Sequence, residues 1–199
     1  MQITLYGSGT TRSARCRWAL AEAGLDYELI ERKGLIGSDE IKAIHPLGKL
    51  PAAVVDGRPL FESAAICTYV ADKVPERGLV GAPGTWERAL HDQWVQFNLS
   101  ELEAWLWNTA VNSFVLPEAK RVTAQFAQNE SMFRRSVMAI ETHLDGREYL
   151  VGERLSVTDI IVGWTLNWGR RQGFLDDSPN TAAYVARLLE QPNCTFAAT

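Results

Sequence analysis

The apolar pattern of this chain changes once, and the change falls at 77–85, a stretch holding Gly78, Gly81, Pro83 and Gly84. Before it, strand and helix signals alternate. Ile3 and Leu5 alternate with Gln2 and Thr4, which predicts a short strand. Ala14, Trp18, Ala21 and Leu25 fall at helical spacing with Gly24 as the stop, and 27–30 reads as a second strand. Gly34, Gly37, Pro46 and Gly48 break 34–48 into loop and short helix. The run 52–55, the dipeptide Asp56-Gly57 and the run 59–61 predict a hairpin. A helix follows from Ser63, with Ile66, Tyr69 and Val70 on one face, and Pro75 and Gly78 end it.

After the break only helical periodicity is found. Trp86, Leu90, Trp94 and Phe97 form one stripe; Val122, Phe126, Phe133, Val137, Ile140 and Leu144 form another. Ser156-Val157-Thr158-Asp159 is a capping box, with Leu155 and Ile160 as its hydrophobic staple. Tyr184, Val185, Leu188 and Leu189 mark a last helix before Pro192. An α/β unit over 1–77 followed by an all-α unit over 86–199 is the expected organisation, since unlike layers do not continue one sheet.

Composition narrows the function classes. The 199 residues are 46% hydrophobic and 22% charged, an ordinary globular balance, and the net charge of −4 argues against a nucleic-acid binder. No run approaches the ~20 apolar residues of a membrane span, and no basic-then-apolar leader opens the chain. Three cysteines are an odd, sparse set that fits a reduced cytoplasmic protein. His45, His91 and His143 lie far apart, at no metal-ligand spacing, and no phosphate-cradling glycine loop occurs, so no metal or nucleotide is expected.

Three motifs in order carry a resemblance over essentially the whole chain: Leu5-Tyr6-Gly7-Ser8-Gly9-Thr10-Thr11-Arg12-Ser13-Ala14-Arg15, His45-Pro46-Leu47-Gly48-Lys49-Leu50-Pro51 and Phe61-Glu62-Ser63-Ala64-Ala65-Ile66. With the downstream capping box they resemble the cytosolic glutathione transferases of serine/threonine-like loop type. The resemblance implies a thioredoxin-like N-terminal domain that binds glutathione as co-substrate, then an all-helical domain that supplies a hydrophobic second site. It implies attack of the bound thiolate on an apolar electrophile, and a two-fold homodimer. Glutathione-dependent peroxidase or dehalogenase activity on the same scaffold is the neighbouring alternative. A noncatalytic binding or interaction module is the alternative from another class, because the family's catalytic serine is replaced.

Glu62-Ser63 opens a predicted helix, where free N–H groups attract an anion, although serine there is equally a plain N-cap. The resemblance assigns the γ-glutamyl carboxylate to Ser63 and its amino group to Glu62. It makes Pro51 a cis-proline, gives the Leu50 backbone to the cysteinyl part and lets Lys49 face the glycyl carboxylate.

Conjugation needs a thiolate, yet a free thiol titrates near ~8.5, so a donor aimed at the sulfur is required. Counting from Tyr6 puts the family's serine at Thr11, and counting back from Arg15-Cys16-Arg17-Trp18 puts it at Thr10. Tyr6 ends the first strand, where other members keep a catalytic tyrosine. The order of preference is Thr11, Thr10, Tyr6. Arg12 stands where thiol-exchanging members carry a cysteine, and no Cys-x-x-Cys occurs. Cys16 and Cys67 lie inside predicted helices and read as core. Arg12, Arg15, Arg17, Arg32 and Lys33 gather positive charge at this end, several of them as solvated side chains. For the second site the resemblance points to Trp105, Trp107, Asn108 and Phe114, while Trp86 and Trp94 fit helix packing.

Overall fold

The computed structural model describes residues 1–9 and 11–196. Its first half is a four-stranded sheet of β1 (Ile3–Tyr6), β2 (Glu28–Ile30), β3 (Ala52–Val55) and β4 (Arg58–Phe61), in the order β2-β1-β3-β4. β1 and β2 are parallel, with Leu5 opposite Leu29, so a crossover is needed and α1 (Ser13–Ala23) supplies it. The other two pairings are antiparallel, Leu5 facing Ala53 and Ala53 facing Leu60. Asp56 and Gly57 both take positive φ, 47° and 77°, the backbone of the two-residue turn that the β3–β4 hairpin requires. This is a thioredoxin-like sheet. A short α2 (Asp39–Lys42) lies in the 34–48 loop, and α3 (Ser63–Asp72) follows β4 directly.

Helix α1 is buried nearly all round, because it lies between α3 and α7. Trp18, Ala19 and Leu20 are fully enclosed, whereas Ala21, expected on the inner stripe, is exposed. Gly24 ends the helix in the left-handed conformation at φ 66°. Cys16 and Cys67 are wholly buried; burial pushes the Cys16 thiol up and the adjacent Cys67 adds to it, which makes a reactive thiolate there unfavourable.

The second half is helical throughout the described residues. Helix α4 (Trp86–Phe97) runs without a break through a π turn (Asn98–Glu103) into α5 (Ala104–Ala110), and a second π turn (Val111–Val115) ends it. α6 (Phe126–His143), α7 (Val157–Arg171) and α8 (Pro179–Leu189) complete the bundle. α7 is the hub, touching α1, α3, α4 and α8, with Ile160, Ile161, Val162 and Leu166 fully buried. Its capping box forms as the sequence predicts, and Asp159 also accepts from the Leu150 N–H and the Tyr184 hydroxyl. Methyl groups at Gly163 and Gly169 would meet Leu188 and Phe133 at 2.3 Å, so these glycines set how closely α8 and α6 approach.

Two expected core residues lie elsewhere. Trp86 is 73% exposed, because it is the first residue of α4 and projects beyond the bundle; the buried stripe includes Trp94. Val122 precedes α6 and is exposed, while Phe133, Val137, Ile140 and Leu144 are buried.

The halves share one core and are joined by buried hydrogen bonds, one set of which centres on α4. His91 on α4 sits between Thr68 of α3, at 3.0 Å from Nε2, and Thr158 of α7, at 2.8 Å from Nδ1. Thr68 donates its proton to the Ala64 carbonyl, so Nε2 carries the hydrogen and Nδ1 accepts from Thr158. Burial lowers the His91 pKa to about 4, which keeps the ring neutral.

Candidate functional site

A cleft of about 290 Å³ lies where the sheet end of the first half meets the α4–α5 helix. Its sheet-side wall is Lys49, Leu50, Pro51, Glu62 and Ser63, with His45 beside them. The Leu50–Pro51 bond is cis. The loop before it is braced from within: the Gly37 N–H donates to the Gly48 carbonyl at 2.8 Å, and the Leu47 N–H donates to His45 Nδ1 at 3.1 Å. His45 packs against Phe61, with ring centroids 4.9 Å apart. Glu62 takes φ 69° and ψ 117°, a conformation an L-residue adopts only under constraint, and such residues concentrate at functional sites.

Ser63 is the first residue of α3 rather than its cap; the cap position is Glu62, and no side chain caps the helix. The Ser63 hydroxyl instead accepts from Arg15 Nη1 at 3.2 Å. A guanidinium can only donate, so the Ser63 proton remains available to an acceptor in the cleft. Arg15, expected among solvated charges, is fully buried and lies over the Trp164 ring at 4.6 Å.

The helical wall is Leu99, Glu103, Ala104 and Trp107, with Arg12 between the two walls. Glu103 ends the π turn and accepts from Arg12 Nε on one oxygen, and from Arg15 Nη2 and Thr165 on the other. Thr165 in turn accepts from Arg15 Nη2 at 2.6 Å. Burial alone would raise the Glu103 pKa, but the two guanidiniums outweigh it and hold the carboxyl at about 2. Its charge is therefore fully engaged, and it ties helix α1 to the helical half.

The cleft unites the five residues expected at the glutathione end with Trp107. It does not take in the others. Thr11 is not among the lining residues; its hydroxyl donates to the Ser8 carbonyl at 2.7 Å and lies 2.8 Å from Ser13 Oγ, so it stabilises the turn before α1. Tyr6 ends β1 outside the cleft lining. Thr10 lies outside the described residues.

Of the expected second-site residues, Trp105 packs against the core, Asn108 accepts from Asn129 at 2.8 Å, and Phe114 is 70% exposed. Trp107 is not a free apolar face either: Arg12 and Lys49 lie over its ring at 4.8 and 5.3 Å. His45, Arg12, Leu99, Glu103 and Ala104 are lining residues that sequence reasoning did not assign. The first lies in a quoted motif and Arg12 in a quoted loop, but nothing local distinguishes Glu103 from Glu101. Among the described residues no group of His, Cys, Asp and Glu gathers as a metal-binding cluster, and no helix is long and apolar enough to cross a membrane.

Residues 1–72 match the family model for the glutathione S-transferase N-terminal domain, and 103–192 match that for its C-terminal domain. Glutathione S-transferase 1 of Zea mays is 30% identical over 205 residues, 96% of this chain and 93% of that protein. Elongation factor 1-gamma 2 of Oryza sativa subsp. japonica is 27% identical over 206 residues, covering 97% of this chain and 47% of the relative. The chain spans about half the length of the elongation factor 1-gamma proteins it matches at that coverage. Among solved structures, a sphingomonad glutathione S-transferase complexed with glutathione aligns with TM-score 0.84 and 25% identity over 98% of both chains.

Proposed function

Because this chain belongs to the glutathione S-transferase family, we propose that it binds glutathione in the cleft between its halves and transfers it to an electrophilic small molecule. The observation that carries this reading is the meeting of Lys49, the Leu50–Pro51 cis peptide, strained Glu62 and donor-ready Ser63 in one cleft. Their charges suit the ligand. Lys49 faces the glycyl carboxylate, the Leu50 backbone pairs with the cysteinyl unit, Ser63 donates to the γ-glutamyl carboxylate, and Glu62 meets the ammonium. The chain holds the nucleophile in place and in the ionised form; no residue of the protein forms a covalent bond. Of the hydroxyls the resemblance offers to the sulfur, that of Thr11 is engaged by its own turn and Tyr6 lies outside the cleft lining, so we assign the direct role to Thr10.

The cytoplasm suits a chain with three free cysteines. We assign the homodimer to the open groove between α3 and α4, lined by Leu60, Ala65, Tyr69 and Val95; a monomeric mass at micromolar concentration contradicts it. The elongation factor 1-gamma relatives favour a second reading, a glutathione-binding or interaction module without turnover. Rates of glutathione loss with a panel of aryl halide and enone electrophiles separate the two. Saturable turnover above the buffer rate supports the transferase, and glutathione binding without turnover on any of them supports the module.

A further inference from the structure

One histidine in the wall of the cleft has one ring nitrogen engaged and the other open. His45 is only 5% exposed and lines the cleft beside Lys49, Leu50 and Pro51. Its backbone is pinned on both sides: its N–H donates to the Ile41 carbonyl at 2.7 Å, and its carbonyl accepts from the Gly48 N–H at 2.8 Å. The ring lies against Phe61, with centroids 4.9 Å apart, which limits its rotation.

The loop fixes the tautomer. Nδ1 accepts the Leu47 N–H at 3.1 Å, so the ring hydrogen sits on Nε2. Nε2 has no hydrogen-bond partner among the described residues, and it is not enclosed. With the rest of the ring buried, that donor opens onto the cleft. A largely buried donor that meets no protein acceptor is unfavourable unless a ligand supplies one. His45 and Lys49 flank one turn, closed by the Gly48 N–H on the His45 carbonyl, whereas Glu62 and Ser63 open α3. The donor therefore belongs with the residue proposed for the glycyl carboxylate, not with those proposed for the γ-glutamyl unit.

Resting on the glutathione reading above, we propose that His45 is a specificity-determining residue for the glycyl carboxylate. Its Nε2–H donates to one carboxylate oxygen while Lys49 supplies the charge. The donor recognises an oxygen by direction, which an exposed lysine does not. The pair distinguishes the tripeptide from the dipeptide γ-glutamylcysteine, which lacks the glycyl unit.

Two substitutions separate the donor from the loop brace. In His45→Asn the side-chain oxygen can accept the Leu47 N–H, two residues on, as an Asx turn, but nothing reaches the Nε2 position. In His45→Gln an amide donor reaches that position and the short-range acceptor is lost. The test titrates glutathione and γ-glutamylcysteine by calorimetry into wild type and both variants. His45→Asn is expected to bind glutathione about tenfold more weakly, the worth of one hydrogen bond to a charged group, and γ-glutamylcysteine as wild type does. His45→Gln is expected to keep most of the preference for the tripeptide. A readout without any variant is the Nε2–H proton resonance of the wild type, which should move downfield when glutathione is added. Unchanged glutathione affinity in His45→Asn, equal loss of both ligands, a larger loss in His45→Gln, or an unmoved resonance overturns the assignment. Wild type that binds both ligands equally overturns His45 and leaves the glutathione site standing. Binding of neither overturns the glutathione reading and the assignment with it.

Discussion

The sheet-side wall of the cleft is held by backbone: a positive φ at Glu62, and a loop across which the Gly37 N–H bonds the Gly48 carbonyl. The helical wall is held by charge. Glu103 reaches out of a π turn and is fastened by two arginines from the other half. Backbone restraint survives the loss of any one side chain, whereas a buried ion cluster does not, because removing one member leaves an uncompensated charge. The two walls therefore differ in how they fail. One tolerates truncation with graded loss of affinity; the other couples site, domain junction and stability in one network.

The largest effect is expected at Glu103. Glu103→Ala leaves buried Arg15 without its carboxylate, and urea unfolding should lose about 3–5 kcal/mol; a loss under 1 kcal/mol would mean that the network is not closed as described. Acid comes next. His91 is neutral in the folded chain with a pKa of about 4, while the unfolded histidine titrates near ~6.5. The unfolded state therefore binds more protons between these values, and stability is full above about 6.5 and falls as pH drops toward 4. Burial is the main cause, opposed by Asp92 and Asp72 and assisted by Arg88, and the loss amounts to roughly 3 kcal/mol. Glu103, depressed to about 2, extends the decline below about 4.5. His91→Gln should flatten the first part of this pH profile and leave the second.

Ser63→Ala should be gentler. It removes the donor proposed for the γ-glutamyl carboxylate and should weaken glutathione binding by about tenfold or more, since a hydrogen bond to a charged group is worth ~1.5–3 kcal/mol. Calorimetry reads this directly, and unchanged affinity would remove Ser63 from the site. Smallest is Lys49→Ala: the lysine is exposed, so a loss of about 0.2–1 kcal/mol that fades with added salt is expected in the same experiment.

What could be read from the sequence follows the same division. The sheet half depends on local turn chemistry, so Asp56-Gly57, Gly24 and the loop 45–51 announced their elements, and Lys49, Leu50, Pro51, Glu62 and Ser63 arrived together in one cleft. The helical half depends on phase. Each α-helical residue advances about 100°, and a π turn shifts the face of everything after it. Two π turns interrupt the stretch that holds Trp105, Trp107, Asn108 and Phe114, which the resemblance brought to the second site, and of these four only Trp107 lines the cleft. Glu103 was illegible for a second reason: its partners Arg12 and Arg15 lie some ninety residues upstream, and no local pattern links them. The partner of Thr11, by contrast, is local. A threonine hydroxyl satisfies itself on a nearby carbonyl, and here it shares the Ser8 carbonyl with its own N–H.

The most direct test of the account is a calorimetric titration of glutathione into the intact protein at neutral pH, followed by the same titration with Glu103→Gln. The account predicts one saturable site per chain in the wild type, and weaker binding in a variant that still folds. No heat of binding to the wild-type protein would contradict it.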